Sequence, residues 1–249
     1  MDPASEPDIT LGVSCYNEAE SIPLTLANLT SALERTGLTA EVLVMDDCSA
    51  DGSAQAVQAF CDGFRSDKVA VVLHRNTTNQ GLVWNVFEAA RIGHGRYFWM
   101  VSGDNSMDPD TYAAMLGRVG SADLIIPNVL YYRNRPPHRK IISRMYSLLV
   151  NVLSGRNIRY YNGGTIFKRA TFVARGLEVQ GFGYSAELIL SLLDSGATYV
   201  EADVIYNDRL TGSSSALRWK NLREIAGFFG RLIKRRVRRL FSTDQRPGS

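Results

Sequence analysis

"VLVMDDCSADGS", residues 42–53, joins four apolar residues to a run of acids and small hydrogen-bonding side chains. With Glu41 before it, the apolar part reads as one short strand ending in Asp46-Asp47, and a helix opens near Ser53. A continuous apolar strand that ends in acids is what a sheet covered on both faces leaves at its carboxyl edge. The pattern recurs on either side. An apolar run at 9–14 leads into Tyr16-Asn17-Glu18 and then a helical stretch with Ile22, Leu26, Leu29 and Leu33 on one face. The run at 69–73 precedes Asn79-Gln80-Gly81, with a helix opening near Gly81. The run at 97–101 precedes Gly103-Asp104-Asn105, and 124–126 supplies a fifth strand. Strands alternating with helices predict an α/β fold, a mostly parallel sheet with helices on both faces. Four polar clusters then converge on one edge, where such sheets bind ligands.

A chain of 249 residues is long enough to bury a full core, and 45% hydrophobic with 21% charged residues is ordinary for a globular protein. Cys15, Cys48 and Cys61 are odd in number and lack CxxC spacing, which argues against a disulfide framework or a zinc site and for a cytoplasmic setting. Residues 1–8, acidic and Pro-bearing, read as a disordered tail rather than a secretory signal. No apolar run approaches the roughly 20 residues that span a bilayer. The net charge of +3 conceals an asymmetry: ten of the 28 basic residues lie in 218–249 against two acids, Glu224 and Asp244. The upstream body is therefore weakly acidic and the end strongly basic, which points to an anionic surface as partner.

The glycine fingerprints of dinucleotide-binding folds and P-loops are absent. What is present, in order, is "VSCYNEAESI", "VLVMDDCSADGS", "NQGLVWNVFEAA", "GRYFWMVSGDNSMDP", "GFGYSAELIL" and "NDRLTGSSS". These segments resemble the family 2 glycosyltransferases, nearest the branch of dolichol-phosphate mannosyltransferases and bacterial polyprenyl-phosphate glycosyltransferases, over residues 9–216. The resemblance implies a GT-A fold that takes a nucleotide-sugar donor, UDP- or GDP-linked, and inverts the anomeric centre. It assigns Tyr16, Glu18 and Asp47, with Asp46 beside it, to the nucleotide's base and ribose, and Asn79 and Gly81 to a turn where backbone approaches the donor. Carboxylates suit that work because they accept from N–H and hydroxyl groups, and an aromatic ring packs on a base. The same acids also suit helix N-termini and Asx turns. Ser14-Cys15 and Cys48 depart from the family, the latter from its usual Gly.

In the relatives the loop after the fourth strand reads DxD and holds a divalent cation on the donor's diphosphate. Here Ser102 stands in the first place, followed by Gly103, and Asp104 in the second. One carboxylate can suffice, because Mg²⁺ keeps several waters and shares substrate phosphates. The expected cofactor is Mg²⁺ or Mn²⁺ on Asp104, in a weakened site.

The acceptor side rests on "YYRNRPPHRKIISRMYSLLVNVL". Ile141, Ile142, Met145, Leu148, Leu149 and Val152 form an apolar stripe, and Arg135, Arg139, Lys140 and Arg144 crowd its start, so 138–153 reads as an amphipathic interface helix. By resemblance Arg139 and Ser143 contact an acceptor phosphate, Arg209 meets the diphosphate, and Glu187 lies near the acceptor entrance. "RYYNGGTIFKR" departs from the branch on the acceptor side. Residues 217–249 form a basic amphipathic helix and tail, with Trp219, Leu222, Ile225, Phe229, Leu232 or Ile233, and Leu240 at helical spacing. Packing on the body is the alternative to lying on a membrane, and no nucleic-acid signature is present. The expectation is a peripheral enzyme on the cytoplasmic membrane face that moves a sugar onto a lipid-linked acceptor, polyprenyl phosphate. A hydroxyl acceptor would need a base, for which Asp108 and Glu187 are candidates. An inactive donor-binding scaffold is the third reading.

Overall fold

The computed structural model describes residues 6–133, 136–175, 183–207 and 219–242. Along the chain run β1 (Ile9–Cys15), α1 (Ile22–Thr36), β2 (Ala40–Asp46), α2 (Ser53–Gly63), β3 (Val69–Arg75), α3 (Leu82–Ile92), β4 (Tyr97–Ser102), α4 (Pro109–Leu116) and β5 (Leu124–Arg133). They continue with α5 (Pro137–Ser154), β6 (Ile166–Lys168), α6 (Arg169–Arg175), α7 (Tyr184–Asp194), β7 (Tyr199–Asn207) and α8 (Trp219–Ser242). The strands form one seven-stranded sheet in the order β3-β2-β1-β4-β6-β5-β7. β1 pairs in parallel with β2 and β4, β2 with β3, and β5 with β7, while β6 runs antiparallel to β4 and β5. The chain order reverses between β1 and β4, so a crevice opens beyond their carboxyl ends. β5 and β7 end at that same edge, and β6 begins there.

The expected α/β architecture is present: a mostly parallel sheet with helices on both faces. On one face α1, α2 and α4 cover the strands through Ile22, Leu26, Leu29, Leu33, Val57, Tyr112 and Met115, all buried. On the other, Val86 and Ala89 of α3, Phe172 of α6 and Ile189, Leu192 and Leu193 of α7 pack over Phe98 and Phe167. Residues 6–8, expected in the tail, are instead tied to the opposite edge of the sheet. Asp8 accepts from Thr39 N at 2.9 Å, and Arg96 N donates to the Pro7 carbonyl at 2.9 Å. The acid of a Pro-rich leader found donors there; residues 1–5 lie outside the described set.

The two amphipathic helices take different roles. The stripe of α5 faces away from the protein: Ile141 is 58% exposed, Met145 57% and Leu148 61%. Only the back of the helix, through Ser147 and Val150, is buried. α8 docks on the body. Phe228 and Leu232 are buried, and Tyr146 of α5 packs against Phe228 and Phe229. Arg236 donates to the Val152 carbonyl at 2.8 Å. Ile233 and Val237 remain outside. Among the described residues no helix is long and apolar enough to cross a membrane.

Candidate functional site

At the carboxyl edge the loops after β1 and β2 are laced together. Asn17, in the left-handed region at φ 55°, donates its N–H to Ser49 Oγ at 2.9 Å and accepts from Ala50 N at 3.0 Å. Glu18 N donates to Ser53 Oγ at 2.8 Å and Ala19 N to Asp51 Oδ2 at 3.1 Å. The hydrogen bond from Ser53 holds the Asp51 carboxyl below the ordinary range. Tyr16 projects from this frame, 51% exposed, with its ring open to a stacking partner. Glu18 receives the Ser21 hydroxyl at 2.6 Å and stays partly exposed.

Asp46 and Asp47 work inward. Asp46 is fully buried, accepts from Ser49 N at 3.2 Å and has Arg75 Nε 3.1 Å from Oδ2, a contact outside hydrogen-bond geometry. Its expected place among donor ligands is corrected: a carboxylate at zero exposure braces the loop instead. Asp47 carries more. Oδ1 accepts from Asn76 Nδ2 and Gln80 N, each at 2.8 Å, and Oδ2 from Gly81 N at 2.8 Å. Burial alone would raise this carboxyl, but the bonds from Gln80, Asn76 and Gly81 outweigh it and hold it below the usual carboxylate range. Asn76 also donates to Asn85 Oδ1 at 2.9 Å, and Asn85 donates to the Gly81 carbonyl at 3.1 Å. Gly81 sits at φ 85°, ψ 160°, which only glycine adopts freely. Asp47 thus clamps the Asn79–Gly81 turn.

The Gly103-Asp104-Asn105 turn is held from α1. The Thr25 hydroxyl donates to the Gly103 carbonyl at 3.0 Å and accepts from Asn105 N at 3.0 Å. A Cβ on Gly103 would come 2.6 Å from the Ser14 carbonyl, so the close approach of β1 and β4 requires glycine there. Asp104 is partly exposed and accepts from Ser106 N at 3.1 Å. Behind it, burial raises the Tyr112 and Tyr206 hydroxyls, and the Asp104 charge pushes both further up. Ser102 is partly exposed beside this turn. Asp108 caps α4 by accepting from Asp110 N. Among the described residues no group of three or more His, Cys, Asp or Glu is placed to hold a metal ion. A cation held at Asp104 would have to take its remaining ligands from water and substrate phosphates.

On the acceptor side Arg139 and Ser143 are partly exposed on the first turns of α5, which leaves the same sheet edge. Arg231 of α8 binds the Glu187 carboxylate through Nε at 3.0 Å and Nη2 at 2.7 Å. That bidentate pair ties α8 to α7 through the Glu187 carboxylate. Arg209 and Arg135 lie outside the described residues. Cys15 is buried, its thiol pushed up to about 11, as suits an inert packing residue. The residues not anticipated are Thr25, Asn76, Asn85 and Phe228. Asn85 alone had a visible signal, a polar residue among "LVWNVFEAA" on the face that carries Val86, Ala89 and Ala90.

The profile of glycosyl transferase family 2 matches residues 10–177. An undecaprenyl-phosphate mannosyltransferase of Micrococcus luteus is 29% identical over 214 residues, covering 81% of this chain and 84% of the relative. The succinoglycan biosynthesis protein ExoO of Rhizobium meliloti is 35% identical over 117 residues, covering 47% of this chain and 31% of that protein. Among solved structures, glucosyl-3-phosphoglycerate synthase of Mycobacterium tuberculosis with UDP superposes at a TM-score of 0.67 with 14% identity, over 91% of this chain and 80% of that one. The mannosyltransferase PcManGT of Pyrobaculum calidifontis, in complex with GDP-Man and Mn²⁺, gives 0.61 with 19% identity, over 86% and 60%.

Proposed function

The chain belongs to glycosyl transferase family 2 and is a glycosyltransferase, and from that premise we propose that it transfers a sugar from a nucleoside diphosphate to polyprenyl phosphate at a membrane surface, with inversion. The observation that carries the acceptor is the outward apolar face of α5. Six large aliphatic side chains stand exposed on a helix whose basic first turns leave the edge where the donor loops converge. A lipid tail and bilayer interface would cover that face, and Arg139, Lys140 and Arg144 suit phosphate headgroups. The membrane face in this reading is the cytoplasmic one, because nucleotide sugars are made there. The name of the Micrococcus luteus relative supports the same acceptor.

The base would stack on Tyr16, with Glu18 and Asp47 accepting from base or ribose. Asp104 would hold the divalent cation together with diphosphate oxygens, and that ion would neutralise charge on the leaving group. Arg139 and Ser143 would hold the acceptor phosphate. An acceptor that is already anionic needs no general base, so the protein's contribution is positioning and charge stabilisation. A hydroxyl acceptor would need a base, and of the two candidates Glu187 is held in an ion pair with Arg231. The test is transfer from labelled UDP- and GDP-sugars to undecaprenyl phosphate in anionic vesicles. A lipid-linked product of inverted configuration is expected, and donor binding with no transfer to any lipid phosphate would overturn the acceptor.

A further inference from the structure

The sheet ends in two strands that are finished differently. β7 is closed from outside: the Thr111 hydroxyl of α4 donates to the Ile205 carbonyl at 2.5 Å and accepts from Ile205 N at 3.2 Å, and Met107 bridges to Tyr206. β3, at the other end of the strand order, pairs only with β2. Its bonds to β2 fix which residues look outward. The Lys68 carbonyl accepts from Ala40 N at 2.9 Å, and Asn76 N donates to the Asp46 carbonyl at 2.8 Å. In a parallel ladder only alternate residues bond to a given neighbour, so the even-numbered residues of β3 turn their backbone to β2. Val69, Val71, Leu73 and Arg75 turn theirs to the outer edge. Val69 N is bent back to Ser66 Oγ at 3.3 Å, whereas the N–H and carbonyl groups of Val71 and Leu73 have no hydrogen-bond partner among the described residues.

Nothing within β3 protects this edge. The strand, VAVVLHR, contains no Pro or Lys, and its pairing with β2 runs without a bulge. Bare edges of that kind accept another strand. The apolar cover is also unfinished there. Val71 and Leu73 are only partly buried at the border of the core, as are Phe60 and Phe64 of α2, whose rings stack with centroids 5.5 Å apart. On the opposite face of the strand Val72 is 49% exposed. We propose that the occupant is a second copy of this chain, whose β3 pairs antiparallel with the first across a two-fold axis at Val71. The residues of the strand select that partner and that register. Outward residues must face outward residues, so the axis falls on a residue and not between two. An axis at Ala70 would set Arg75 against Arg65, and one at Val72 would set Val69 against Arg75 and Asp67 against Thr77. The axis at Val71 sets Val69 against Leu73, Lys68 against His74 and, twice, the exposed Asp67 against Arg75. The Arg75 side chain is 54% exposed, so its contact with Asp46 leaves it within reach. Such a pairing closes after two copies, because the same edge serves both.

The experiment is sedimentation velocity of the full chain at about 1 to 100 µM, in a mild detergent that covers the α5 stripe so that association through α5 is not counted. The expected result is a monomer that converts to a dimer across that range. Val71→Pro removes an N–H that points away from β2, so it spares the ladder within the fold and should weaken dimerisation about tenfold. Asp67→Lys, at an exposed position before the strand, should weaken it about threefold, and added salt should recover part of that loss. The register has its own readout. Ala70 faces Val72 of the second copy in a non-hydrogen-bonded pair, close enough for a disulfide. A mixture of the Ala70→Cys and Val72→Cys proteins should therefore oxidise to a covalent dimer that neither variant forms alone, with wild type as the control for Cys48 and Cys61. A monomer at every concentration, or a dimer that Asp67→Lys or a folded Val71→Pro leaves intact, overturns the inference. Cross-linking of Ala70→Cys or of Val72→Cys by itself overturns the register.

Discussion

Around β1, β2 and β4 the loops are fixed by side chains that bond to backbone N–H and carbonyl groups, whereas α5 leaves six aliphatic side chains facing outward. The first region is complete in itself: Asp47, Thr25 and Ser53 hold three turns whatever is bound. The second region is left uncovered, and in the proposed function a membrane would complete it. Preorganised donors suit a small charged ligand that must be placed to a fraction of an ångström, because ordering loops at binding would cost affinity. An acceptor delivered by a membrane needs orientation of a whole surface instead, which exposed apolar area supplies.

The largest expected effect breaks the first region at its chemical centre. Asp104→Asn should lower transfer by about 10²- to 10³-fold and abolish its dependence on Mg²⁺ or Mn²⁺. Steady-state transfer across a metal titration, with chelator as the lower limit, measures this. Full turnover in chelator would move neutralisation of the diphosphate to arginines.

The second expectation separates clamping from contact. Asp47→Asn sets an amide against three N–H donors, and the fold should lose about 2 to 3 kcal/mol in denaturant unfolding. The pH dependence has a definite sign. The Asp47 carboxyl is depressed in the folded protein, so its contribution is fully present above the ordinary value of about 3.9 and is lost as pH falls through the lower folded value. The stability difference between wild type and Asp47→Asn should be level from pH 5 to 8 and shrink below about pH 4. A variant as stable as wild type at neutral pH would return Asp47 to the role of a simple ligand.

Much of this was legible beforehand, and the gaps have physical reasons. The apolar strands at 9–14, 41–45, 69–73, 97–101 and 124–126 are long enough to show their period, and the polar clusters at their ends mark the binding edge. β6, with three residues, is too short for any periodicity. A carboxylate looks the same in sequence whether it faces a ligand or three backbone amides, so the inward use of Asp46 and Asp47 appears only with Asn76 and Gly81 in place. The α5 stripe was visible, but amphipathicity says which face avoids water and not what covers it. For α8 the period allowed more than one apolar face, and the fit of Phe228 against Gly183 decided which one docks.

The third expectation concerns the outward face. Leu148→Ala should weaken partition to anionic vesicles by about tenfold, from roughly 1 to 2 kcal/mol of lost apolar transfer. Since Leu148 is 61% exposed, thermal stability should stay within about 0.5 kcal/mol of wild type. Flotation with and without added salt measures the partition. A loss of folding stability without loss of flotation would mean that the stripe packs on protein.

The smallest effect returns to the laced loops. Cys48 stands where the family usually has Gly, and the structure shows why glycine would suit it: the residue is held at φ 66°, in the left-handed region. A side chain there costs about 1 to 2 kcal/mol of local strain. Glycine would relieve that strain but give back about 0.5 to 1 kcal/mol through its freer unfolded chain. The thiol returns little, since its hydrogen bond to the Thr77 carbonyl is a weak one at 3.6 Å. Cys48→Gly should therefore stabilise the protein by about 0.5 to 1 kcal/mol, read as a small rise in melting temperature with donor affinity unchanged. A fall in melting temperature would show that the loops tolerate strain at Cys48 because its side chain packs usefully, and would weaken the contrast between a fixed donor side and an adaptable acceptor side.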